Sequence, residues 1–237
     1  DTSAPSARPR EAASSACISI AWVGIQGGFW NSVRIVVPAT RISVRLGALN
    51  GYALSFWRNK WGDLLFGIIL LGAFVPFQIM IFPLVTWFRM GGFYNTYWAI
   101  VLTHCIFGMP VLTILFRNYY VAVPQELFKA ARIDGAGPVK FFIDVLVPLS
   151  RTMIAAVFII MFVYGWNQYL WPMLMTTDEG FYTLMRGIKQ ILQVWVGSQI
   201  PDYNEAFALA VLAMAPPILI VVVFQRWFIK GLTESDK

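Results

Sequence analysis

The chain has 237 residues, of which 58% are hydrophobic and only 13% charged, with a formal net charge of +6. Soluble domains average about 45–50% apolar and about 25% charged residues, so this composition excludes a water-soluble globule and makes membrane lipid the surrounding medium. The basic excess forms no stripe with interleaved aromatics, which excludes nucleic acid as a partner; it gathers at the ends of alternate apolar runs.

Residues 1–28 read as an external N-terminal segment. Positions 1–16 are polar, with Arg8 and Arg10, and show nothing of a signal peptide. The apolar run from Cys17 to Ile25 is well short of the roughly 20 residues needed to span a bilayer. Cys17 and Cys105 have no metal-ligand spacing and imply no disulfide framework.

Five candidate spans follow, at 31–57, 64–88, 97–117, 152–174 and 206–228. In lipid each must be helical, because unpaired backbone groups cost several kcal/mol apiece, so the fold class is an all-α, polytopic helical bundle. Pro76, Pro83, Pro110, Pro172 and the Pro216-Pro217 pair fall inside these runs. Proline removes a backbone donor, so the spans are expected to be bent or broken.

The first span carries Arg34, Arg41 and Arg45 on one helical face, each costing roughly 2.5–3.5 kcal/mol at mid-membrane. Snorkelling, pairing with another subunit, an anion-attracting cavity wall and a damaged copy are the readings open for them. Gln78 sits between two prolines of the second span. In the third, His104 is expected to be packed and hydrogen-bonded, since a proton relay would want a carboxylate nearby. The fourth holds Trp166, Asn167, Gln168 and Trp171. Amides and aromatic faces suit the hydroxyls and ring of a sugar, whereas helix–helix hydrogen bonding is the competing use.

Sidedness follows from the loops. Arg58, Lys60, Arg117, Lys129, Arg132, Lys140, Arg151, Arg226, Lys230 and Lys237 lie on one side, against Arg89, Arg186 and Lys189 on the other. Basic residues mark the cytoplasmic side, which places the 118–151 loop and the C-terminus in the cytoplasm and the N-terminus outside. An odd number of spans with an exterior start leads to the expectation that a first span is missing.

The 118–151 loop holds the most specific pattern. Pro124 suits a first helical position, Gln125 and Glu126 suit a first turn, and Leu127, Ala130, Ala131 and Asp134 recur at helical spacing. Gly135-Ala136-Gly137-Pro138 interrupts, and a second apolar run reaches Pro148. The loop thus reads as two short helices with small residues on one side. Ala130-Ala131, three residues, Gly135, nine residues, then Val145-Leu146-Val147-Pro148 resembles the EAA loop of permease subunits in binding-protein-dependent ABC importers. That family's pattern is Glu-Ala-Ala, three residues, Gly, nine residues, Ile-x-Leu-Pro. Lys129 stands where the family has Glu, a reversal that Glu126 one turn earlier partly offsets. Leu46 to Ala53 and the Gln225-Arg226-Trp227-Phe228 ending also look like sugar permeases of this type. The stretch Tyr164 to Pro172 is similar to both sugar and glycerol-3-phosphate permeases.

The resemblance, covering about 24–235, implies a non-catalytic permease domain over 29–237 in a bacterial inner membrane, with its EAA loop and C-terminus cytoplasmic. It implies cytoplasmic ABC ATPase subunits, a second permease (usually a different chain) and an extracytoplasmic solute-binding protein as partners. No cofactor belongs to the chain itself: ATP would be bound by the ATPase subunit, and no G-x-x-x-x-G-K-[ST] loop is present. The substrate implied is a sugar, with glycerol-3-phosphate or a polyol as the alternative. Glu126, Lys129, Ala130, Ala131, Asp134, Gly135, Ala136 and Pro148 are the expected ATPase-coupling residues, and Gln78, Trp166, Asn167, Gln168 and Trp171 the expected substrate pathway. A secondary transporter would want intramembrane carboxylates and internal repeats; an enzyme would want an acid–base or metal cluster.

Overall fold

The computed structural model describes residues 10–56, 60–193 and 203–234, with side-chain surroundings for 26–56, 60–189 and 207–225. The described elements are helical: α1 Arg10–Phe56, α2 Lys60–Ala73, α3 Ile81–Met90, α4 Tyr97–Val121, α5 Gln125–Ile133, α6 Pro138–Phe141, a π-helical turn Phe142–Leu146, α7 Val147–Leu149, α8 Arg151–Trp166, α9 Leu170–Met175, a 3-10 turn Glu179–Phe181, α10 Leu184–Gln193 and α11 Tyr203–Glu234. Among the described residues, Tyr97–Val121 and Phe207–Gln225 are each long and apolar enough to cross a bilayer. A third crossing results if Pro138–Leu149 and Arg151–Trp166, bent by 77°, count as one span.

The α1–α4 pair is the spine of the bundle. Two adjacent i+4 rows of α1 are buried, Ile35–Ala39–Ser43–Gly47–Gly51 and Val36–Thr40–Val44–Ala48–Tyr52, because residues four apart share a helical face. Inside a membrane, packing contact rather than water exclusion draws helices together, and small residues let backbones approach. Gly47 and Gly51 do this here. A Cβ on Gly47 would lie 2.6 Å from Leu112 Cβ, and one on Gly51 would lie 2.6 Å from Phe116 Cβ. Helices α8 and α11 close the bundle, with Phe158 and Phe224 stacked at 5.9 Å.

Several expected boundaries move. The division at 28–29 falls inside α1, a 47-residue helix that begins at Arg10. The single span at 64–88 is two helices, α2 and α3, separated at 74–80 around Pro76. The span at 152–174 breaks after Trp166, at Asn167–Tyr169. Pro83, Pro110, Pro172 and the Pro216-Pro217 pair all lie within continuous helices. In α3 and α9 the proline is in the first turn, where a missing N–H leaves no intrahelical bond unmade. His104 is packed as expected: it is buried, and its Nδ1 lies 2.7 Å from the Ile100 carbonyl. Cys105 is free and buried, while the surroundings of Cys17 lie outside the described residues.

Candidate functional site

The 118–151 loop folds as two short helices around a tight turn. Pro124 precedes α5 with φ −56° and ψ 130°, and Glu126 lies in the first turn and Arg132 in the last, both favourable to the helix dipole. The helix stops at Gly135, whose φ is +77°. Gly135 N–H donates to the Arg132 carbonyl at 3.1 Å and Ala136 N–H to the Ala131 carbonyl at 2.8 Å, the paired bonds of a Schellman ending. Gly137 is extended and Pro138 begins α6. Proline at 148 can give no N–H to the chain behind it. Around it lie the π-helical turn at 142–146, the three-residue α7 and the 77° bend into α8. Ser150 fastens the bend, its Oγ donating to the Leu146 carbonyl at 2.6 Å.

One side of α5 is anchored by aromatics. The Phe128 ring lies 5.2 Å from Phe56 and 5.0 Å from Phe141. Tyr52 lies 5.2 Å from Phe56 and 5.1 Å from Phe142, and its hydroxyl donates to the Pro138 carbonyl at 3.0 Å. The other side is open. Glu126, Leu127, Lys129, Ala130 and Asp134 are exposed, and Ile133 is 86% exposed. Ala131 and Ala136 are half-buried, and Pro148 is exposed. An apolar Leu127–Ala130–Ile133 edge flanked by charges is thus presented on a helix whose inner side is fixed.

The residues expected along a substrate path divide in two. Trp166 is 2% exposed and donates its Nε1–H to the Ala213 carbonyl of α11 at 2.9 Å, with Phe162 stacked on it at 5.6 Å. Trp171 is 1% exposed and stacks on Phe107 at 5.0 Å. Both indoles are core residues, and Trp166 makes the helix–helix hydrogen bond that was the competing expectation. Gln78, Asn167 and Gln168 instead lie at the two helix breaks. Gln78 and Asn167 are exposed and Gln168 is half-buried; Asn167 Nδ2 donates to the Val163 carbonyl at 2.9 Å. Phe77 lies 6.3 Å from Trp171, so the breaks at 74–80 and 167–169 are tied to one aromatic layer.

Residues 43–234 match the sequence profile of the family described as binding-protein-dependent transport system inner membrane component. The chain belongs to this family. Over 207 residues this permease is 37% identical to the sn-glycerol-3-phosphate transport system permease protein UgpE of Pectobacterium atrosepticum, covering 87% of the chain and 72% of that protein. Over 228 residues it is 36% identical to the UgpE of Brucella melitensis, covering 96% and 79% respectively. It shares the fold of a chain in the crystal structure of a bacterial ABC transporter involved in the import of the acidic polysaccharide alginate. That match has a TM-score of 0.68 and 21% identity, over 86% of this permease and 75% of that chain. The permease is therefore an inner-membrane, non-catalytic subunit of an ABC importer, and the secondary-transporter reading has no support.

The permease also contains an external bracket that sequence reasoning missed. Asn31 Nδ2 donates to the carbonyls of Gly180 at 2.7 Å and Tyr182 at 3.1 Å, and its Oδ1 accepts from Tyr97 at 2.7 Å. Ser32 Oγ accepts from Leu184 N at 2.9 Å. Arg186 Nη1 donates to the carbonyls of Pro172 and Thr176 and to Thr176 Oγ1 at 2.7–2.9 Å, and its guanidinium lies 3.6 Å from the Tyr182 ring. Burial pushes the Arg186 pKa below its ordinary value, with Tyr182 opposing. A lone Asn and Ser at the start of an apolar run was the legible signal for this bracket.

Proposed function

We propose that the open edge of α5 is where a cytoplasmic ATPase subunit docks, with Glu126, Lys129, Ala130, Ala131 and Asp134 on the docking helix. Gly135 and Ala136 set its ending, and Pro148 sets the bend behind it. The observation that carries this reading is the two-sidedness of α5. Phe128 is locked into the Tyr52–Phe56–Phe141 cluster, while an apolar edge faces outward with nothing described upon it. Closure of an ATP-bound pair would move α5, and through Phe128 it would move α1 and α6. A second permease subunit and an extracytoplasmic solute-binding protein complete the importer.

For the substrate we propose sn-glycerol-3-phosphate or a closely related small hydroxylated solute, passing the amides at the two breaks, Gln78, Asn167 and Gln168. Trp166 and Trp171 stiffen the wall behind them. The relatives named above support this choice. A monosaccharide is the second reading, favoured by the likeness of 46–53 to sugar permeases. The test is reconstitution of the importer in proteoliposomes with its solute-binding protein, measuring ATP hydrolysis and uptake together. Stimulation of both by sn-glycerol-3-phosphate is expected. Stimulation by a monosaccharide alone would replace the substrate reading, and hydrolysis indifferent to the α5 edge variant Ala130→Glu would overturn the docking reading.

A further inference from the structure

The three arginines of α1 have no role in the coupling loop or at the helix breaks. All three are exposed in the bundle. The ion pair among the described residues joins Arg117 to Asp63 at 3.8 Å instead. Arg41 opens on a groove of about 450 Å³ bounded by α1, α7, α8 and α11. Its other basic residue is Arg151, whose Nε donates to the Pro148 carbonyl at 3.0 Å. The walls are Val147, Ile154, Ala155, Phe158 and Phe224. Segments 26–56, 147–166 and 207–225, which form the groove, contain no Asp or Glu. Two guanidiniums therefore share an apolar groove with no carboxylate to balance them.

The position of the groove narrows what can fill it. Arg151 begins α8 directly after the cytoplasmic loop, so the groove opens towards the cytoplasmic leaflet, whose lipids include anionic ones. A basic pocket between membrane helices on that side suits a lipid headgroup. A small phosphorylated solute would match the arginines but leave the apolar walls of the groove uncovered, whereas an amphiphile satisfies both. We propose that this groove is a binding site for an anionic phospholipid, with its phosphodiester at Arg41 and Arg151 and an acyl chain along Ile154, Phe158 and Phe224. Bound there, the lipid would join α1 to α8 beside the Pro148 bend. The proposal rests on membrane placement and not on which solute is carried.

The experiment is phospholipid quantification by mass spectrometry on the complete importer, purified in mild detergent. The importer should retain phosphatidylglycerol in preference to phosphatidylcholine. The Arg41→Gln and Arg151→Gln variants should each retain about fivefold less phosphatidylglycerol, with Arg45→Gln, outside the groove, unchanged. If the variants fail to assemble, the wild-type importer still decides: after delipidation, added phosphatidylglycerol should raise its melting temperature and phosphatidylcholine should not. Equal retention by wild type and variants would overturn the proposal. So would an equal thermal shift from inorganic phosphate, which would mark a solute anion site. Capture of the second permease subunit, rather than lipid, by a photo-crosslinker at position 158 would do the same.

Discussion

Replacement of Gly135 separates conformational need from steric need at the end of α5. Its φ of +77° lies in the left-handed region, yet a Cβ there would meet nothing within 4 Å. An L-residue other than glycine pays roughly 1–2 kcal/mol in that conformation, Asn less because its side chain tolerates it, and a β-branched residue more. A shift of that size lowers the population of the formed turn by about 5–30-fold. The two Schellman bonds from Gly135 and Ala136 then loosen, and α5 loses its fixed angle to α6. The assay is the ratio of solute taken up to ATP hydrolysed by the reconstituted importer. Coupling should fall in the order wild type, Gly135→Asn, Gly135→Ala, Gly135→Val. Because Asn is larger than Ala, a Gly135→Asn variant worse than Gly135→Ala would refute the reasoning and show that size matters there after all.

Three other outcomes are expected. Gly51→Leu should destabilise the permease by about 1–3 kcal/mol or more, since even its Cβ would stand 2.8 Å from Arg117 N, a backbone atom. Gly67→Leu, inside α2 where nothing lies within 4 Å, should not lower the melting temperature. Trp166→Phe should cost about 1 kcal/mol of stability through the lost bond to Ala213 and leave solute affinity alone; an affinity change at constant stability would instead place the ring in the path. The Asn167→Leu and Gln168→Leu pair should alter the uptake KM, and unchanged kinetics would return these amides to a packing role.

The fold of the 118–151 loop was legible in the sequence because its signals are local. Pro124, Glu126, Gly135 and Pro138 each constrain their own residue or turn, and the helix they outline is α5 at Gln125–Ile133. The broken spans were less legible. Residues 64–88 are apolar almost throughout, so hydropathy alone gave one span where Pro76 signalled a break. Pro76 marks the break at 74–80 as expected, but the break at Asn167–Tyr169 has no proline at all, and Pro110 sits inside the unbroken α4. Trp166 could not be placed from its own identity, since its partner is a carbonyl 47 positions away. Gly47 and Gly51 were not singled out in the sequence, and only the fold shows that they let α4 approach.

Helix α1 joins two distant parts of the fold. Asn31 and Ser32 hold the external 180–184 segment, and Tyr52 and Phe56 hold the 118–151 loop, roughly 30 Å further along the same helix. The helix runs unbroken between these clamps despite Pro38, and an element clamped at both ends transmits in either direction. Thermodynamic linkage makes such traffic symmetric: whatever factor an external protein imposes on nucleotide affinity inside, nucleotide imposes on that protein's affinity outside. Loosening the Asn31 clamp alone would therefore be felt in the cytoplasm as a weaker response of ATP hydrolysis to the arrival of cargo.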